Sequence, residues 1–146
     1  MKKILMTIIT VLTPILMFAH TPDISIKDNK DGTFTVHAQF ANGDSTEGSI
    51  ISVVYDKPYN GSSENVINGN LVLFEKELDE NGTATLYKPK TKKYYLNIYV
   101  MVAHEYTRYD VPVLTDGEKE VWEKKITEDK ELTKDEKDYL LGNKKD

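Results

Sequence analysis

The strongest constraint on this chain is a two-residue rhythm of apolar side chains running from Asp23 to Val113. In Thr33 to Phe40, the residues Phe34, Val36, Ala38 and Phe40 share one parity, and Thr35, His37 and Gln39 the other. Successive strand residues point to opposite faces, so this alternation specifies a half-buried strand and argues against a helix. The same reading places a short strand at Ile24 and Ile26, a central one from Ser49 to Tyr55, and another from Leu71 to Leu78. Asp79-Glu80-Asn81-Gly82 is a hairpin signal, after which Thr83 to Tyr87 is expected to pair back. The longest strand is expected from Tyr94 to His104, with His104 ending its apolar row, and Thr107 to Val113 closes the set. Turns are expected at Asp28 to Gly32 and Asn42 to Asp44, and a long break from Lys57 to Asn70. About seven strands with no helix between them predict an all-β protein, an immunoglobulin-like antiparallel β-sandwich.

Both flanks differ from this middle. Lys2 and Lys3 precede an uncharged run from Ile4 to Phe18, and Ala19 supplies the small residue required at a signal-peptidase cut. This predicts a leader over 1–19 and a periplasmic or secreted protein beginning at His20, with a retained anchor as the alternative. The sandwich is then expected over 20–114. Residues 115–146 are dense in Glu, Asp and Lys, and read as a charged tail, helical or partly ordered. Val121, Trp122 and Ile126 form one weak stripe there, and Leu132, Tyr139 and Leu140 another. Thr133 and Glu136 have the spacing of a capping box, and Gly142 is a stop signal.

Composition narrows the chemistry. The chain has no cysteine and a formal net charge of −5, which becomes more negative once Lys2 and Lys3 are removed. No disulfide framework, thiol nucleophile or cysteine-based metal site is available. The acidic balance argues against nucleic acid as a partner, because phosphate recognition needs clustered Lys and Arg. The sequence has no G-x-S-x-G elbow, no H-E-x-x-H and no phosphate-cradling glycine loop, so no enzymatic activity is expected. Asp28 to Gly32 and Asp79 to Gly82 resemble fragments of calcium loops but lack the spacing to a closing Glu, and read better as turns.

The remaining donors are three histidines, His20, His37 and His104. Cleavage after Ala19 gives His20 a free α-amine, and amine and Nδ1 can close a six-membered chelate on one ion. Imidazole suits nickel, cobalt, copper and zinc. Pro22 has no backbone N–H, so a chelate of successive backbone nitrogens is cut short and further ligands must come from elsewhere. His104 is the first candidate and His37 the second. Each also has an ordinary reading: a chance residue at the cut, the cap of a core strand, and a solvent-face side chain.

Phe40-Ala41-Asn42-Gly43 followed by Gly48 and the strand to Tyr55, the Glu77 to Thr85 hairpin, and Tyr95 to His104 together resemble the exported accessory components of bacterial nickel and cobalt uptake systems. The resemblance covers roughly His20 to Val113. It implies an immunoglobulin-like or carboxypeptidase-regulatory-like sandwich that binds Ni²⁺ or Co²⁺ for a membrane transporter, with His20 and His104 as ligands and His37 matching less clearly. Two alternatives stay open: a periplasmic copper-binding protein using the same terminal His, and a metal-free module that binds a protein through an edge strand or the acidic tail.

Overall fold

The alternating segments fold into eight strands, described in a computed structural model for residues 21–100 and 104–144. They are β1 (Pro22–Asp28), β2 (Thr33–Phe40), β3 (Ile50–Pro58), β4 (Val66–Ile67), β5 (Asn70–Glu77), β6 (Thr83–Tyr87), β7 (Tyr94–Val100) and β8 (His104–Arg108). Two antiparallel sheets result, in the orders β1-β2-β6 and β4-β5-β3-β7-β8. This is an all-β sandwich of immunoglobulin-like strand order. The apolar parity of each strand faces inward: Phe34, Val36 and Ala38 meet Ile51, Val53, Leu96, Ile98 and Val100 in one core. Full burial of each larger apolar side chain contributes roughly 1.5–3 kcal/mol, which is why parity selects the faces. β3 is central in its sheet, as its two apolar faces require.

Three pairings differ from expectation. β6 does not return to β5; it pairs with β2, with Val36 opposite Ala84. The Asp79–Gly82 turn is tight, with the Gly82 amide donating to the Asp79 carbonyl at 2.9 Å, but it carries the chain from one sheet to the other. Turn residues specify a reversal and not the strand to which the chain returns. Within the expected long break, Asn68 (φ 52°) and Gly69 (φ 79°) make the two positive-φ positions of a hairpin turn joining β4 to β5.

His104 does not end a strand. It opens β8 and pairs with Val100, so the chain has reversed between them. Residues paired across a hairpin share a face, and 100 and 104 have the same parity, so alternation cannot distinguish this reversal from a continuous strand. Val102, expected in the same row, lies outside the described residues. β8 ends at Arg108, and the expected last strand beyond it is irregular chain, held by the Tyr94 hydroxyl donating to the Pro112 carbonyl.

The charged C-terminal segment forms a short 3₁₀ turn, Asp116–Glu118, then α1 (Lys119–Glu128) and α2 (Lys134–Leu141). Thr133 and Glu136 form the capping box, and Gly142 ends α2 at φ 69°. The helices are not merely laid on the surface. Trp122, Ile126, Leu132 and Leu140 are buried in the same core as the strands, while Val121 is 50% exposed. Among the described residues no helix is long and apolar enough to cross a membrane; the expected leader lies outside them.

An ion triad centred on a buried lysine pins this segment. Lys88, just after β6, is 0% exposed. Its ammonium lies 2.7 Å from Asp28 Oδ1 and 2.6 Å from Glu118 Oε1. Glu118 also accepts from the Gly32 amide at 3.2 Å, and from the Thr115 amide at 2.8 Å and hydroxyl at 2.6 Å. The Trp122 indole donates to the Lys88 carbonyl at 2.7 Å. Burial pushes the Asp28 and Glu118 pKa values up, and the opposing hydrogen bonds from lysine, hydroxyl and amide donors prevail and bring each to about 2.

Candidate functional site

Strand direction decides which loops share an end of the sandwich. β3 starts with Ile50 opposite Tyr99 near the end of β7, and His104 of β8 pairs with Val100 beside it. The 41–49 connection spans both sheets at this end. Its buried Thr46 hydroxyl donates to the Ala38 carbonyl at 2.8 Å, and the Gly48 amide donates to the Leu78 carbonyl at 2.9 Å. β1 begins at the same end, with Pro22 opposite Phe40. The start of β1, the β2–β3 connection, the β5–β6 turn and the start of β8 therefore lie together.

Local chemistry shapes this end tightly. The Asp79 carboxylate accepts from the Asn81 and Thr83 amides and from the Thr83 hydroxyl at 2.8–2.9 Å, and the bonds from Thr83 hold its pKa below the usual carboxylate value. Gly82 has φ 67°, and a Cβ there would lie 2.4 Å from the Ala38 carbonyl oxygen, so only glycine fits. Asp28 and Asp31 are likewise engaged, by Lys88 and Lys30 and by Thr33 and Lys125. The aspartates of both calcium-like fragments are thus already engaged, Asp79 within its own turn and Asp28 and Asp31 by turn donors and lysines.

His37 sits on the outward face of β2, half-buried, between Ser25 of β1 and Thr83 of β6. It borders an open polar cavity of about 260 Å³ that is also lined by Asp44, Ser45, Glu80 and Asn81. Its orientation is the one alternation predicts. His104 is exposed at the first position of β8, and Glu105 pairs with Tyr99. His20 lies outside the described residues; Thr21, which follows it, is exposed and leads directly into β1.

The two sheets are tied at the β1–β8 flank by Arg108. Its Nη1 donates to the Ile24 carbonyl at 2.7 Å, while Nε and Nη2 grip Asp110 at 2.7 and 2.5 Å. Those bonds lower the Asp110 pKa and raise that of Arg108. The Ile24 bond links β1 to β8, and both strands run away from the same end. Counting back along each strand, His104 is four residues before Arg108, and Thr21 three before Ile24.

The structure does not gather the histidines it describes into a formed site. His37 belongs to the three-stranded sheet and His104 to the edge of the five-stranded one. Among the described residues no three His, Asp or Glu side chains come together as a metal-binding group. Sequence reasoning missed the buried role of Lys88 and Glu118. Thr115 and Glu118 do carry capping-box spacing, which would have marked the helical entry but not the buried lysine. Compared with known families, curated proteins and solved structures, the chain matches none of them.

Proposed function

We propose that the chain is an exported, non-enzymatic binding protein for a divalent transition ion. Ni²⁺ or Co²⁺ is the favoured cargo, passed to a membrane uptake transporter. The His20 amine and imidazole are the primary donors, completed by His104 and, less directly, His37. One observation supports the reading: Arg108 of β8 bonds the Ile24 carbonyl of β1, and both strands start at the same end of the sandwich. An amine created by cleavage before His20 would supply two nitrogen donors, and the exposed His104 imidazole a third. Nitrogen donors of this kind suit Ni²⁺, Co²⁺ and Cu²⁺. Binding weakens below about pH 6, because a protonated imidazole has no lone pair to offer.

The test is calorimetry with nickel, cobalt and copper salts on a chain beginning at His20, beside one carrying an extra N-terminal residue. The amine chelate requires weaker binding by the extended chain, and equal affinity in both overturns it. Copper binds nitrogen donors more tightly than nickel in general, so only copper binding without saturable nickel or cobalt binding would move the reading to a copper-binding protein with the same donors.

A second reading, a metal-free protein-binding module, is favoured by the exposed Ile50, Tyr99 and Tyr109 on and beside the five-stranded sheet. It takes over if His20→Ala and His104→Ala leave bound metal unchanged.

A further inference from the structure

At the end of the sandwich away from the histidines, α2 leans over the finish of β3 and the start of β5 and leaves a groove of about 270 Å³. Its floor is Leu71 and Leu73, both part of the core. Its walls are the half-buried phenol rings of Tyr55 and Tyr139. Two exposed ammonium groups stand at the mouth. Lys57 Nζ lies 5.8 Å from the Tyr55 ring centroid, and Lys144 Nζ lies 4.6 Å from that of Tyr139. Lys144 is shared with Asp135 at 3.2 Å, whereas Lys57 has no ion-pair partner among the described residues.

The sign of this mouth is unusual in a chain of net charge −5. A neighbouring cleft of about 240 Å³ shares Leu73 and Tyr139 but is bordered by Glu75, Asp135 and Glu136. One helix face thus separates a carboxylate-lined cleft from a lysine-lined groove, and an anion is attracted to the second and repelled from the first. The volume is near the lower end of small-molecule sites. An apolar floor between aromatic walls asks for an apolar body, and two ammonium groups at the rim ask for a negative head.

We propose that this groove binds a small organic anion of arylcarboxylate size. Its carboxylate sits between Lys57 and Lys144, and its apolar body lies on Leu71 and Leu73 between the two tyrosines. The site is independent of the metal reading, since it lies at the other end of the fold and shares no residue with it.

The experiment titrates the full chain with 2-naphthoate, 2-naphthamide and inorganic phosphate by calorimetry, and repeats the naphthoate titration with Lys57→Gln and Lys144→Gln. Both lysines are exposed, so the variants should retain the parent melting temperature, which is checked first. Saturable naphthoate binding is expected, weakened roughly tenfold in each variant and in the neutral amide, as loss of one charge-assisted contact implies. Absence of saturable binding, equal binding of acid and amide, or unchanged affinity in both variants overturns the proposal. Phosphate binding as tightly as naphthoate also overturns it, because the apolar floor would then contribute nothing.

Discussion

The two ends of the sandwich solve opposite problems. At the helix-covered end a lysine is removed from water and held between Asp28 and Glu118, with Trp122 packed over Gly32, where an added Cβ would lie 2.4 Å from Trp122 Cβ. At the loop end the charged groups stay in water, although the Thr46 hydroxyl is buried. Asp79, Asn42 and Ser45 hold their turns through short-range side-chain-to-backbone bonds, each spanning two to four residues. Burying charge is tolerable only when every partner is in place, so the first end is rigid and intolerant. The second leaves donors accessible, which is what binding an ion from solution requires. The long-range ion pairs among the described residues, Lys88 with Asp28 and Glu118 and Lys125 with Asp31, thus lie away from the histidines.

The largest effect should come from Lys88→Met. Removing the cation leaves the buried Glu118 carboxylate without its charge partner, while the half-buried Asp28 keeps Lys30, and breaking a buried pair costs about 3–5 kcal/mol. Urea unfolding of the variant reads this directly. A loss below about 1 kcal/mol would show that the helical segment contributes little to the closed end.

Acid should act at the same end, with a smaller effect. The folded pKa values of Asp28 and Glu118 lie near 2, below their ordinary values of 3.8 and 4.5. A depressed carboxylate adds stability that is fully present above its unfolded pKa and is lost as pH falls through the folded one. The urea midpoint should therefore drop between about pH 4.5 and pH 2. In Lys88→Met the same titration should be flatter, since the cation responsible for part of the depression is gone. An identical acid slope in both proteins would assign the loss to other carboxylates.

The smallest structural effect should be at the loop end. His37→Ala and His104→Ala replace a half-buried and an exposed side chain, and each should change unfolding free energy by no more than about 0.5 kcal/mol. Metal affinity should fall nonetheless, most in His104→Ala. A large stability loss with no change in nickel binding would reverse the comparison, making the histidines structural.

Much of the architecture is visible in short stretches. β2 has the predicted limits because eight alternating residues between Gly32 and Asn42 admit one inward face. α2 begins and ends where Thr133, Glu136 and Gly142 satisfy its terminal backbone groups. The candidate site was legible only as separate residues. Alternation oriented His37 outward, but it read straight through the reversal before His104. The groove under α2 had no signal at all, because Tyr55, Lys57, Tyr139 and Lys144 are brought together from segments about eighty residues apart.

The sequence alone therefore determined the class of the fold, the inward face of most strands, the helix capping signals near the C-terminus and the absence of cysteine chemistry. These follow from backbone periodicity and nearest-neighbour hydrogen bonding, which act within a few residues. Tertiary structure decided that β6 joins β2, that His104 opens β8, and that Lys88 is buried against Glu118, thirty residues onward. Those outcomes depend on which distant surfaces exclude water together, and no local pattern encodes that choice.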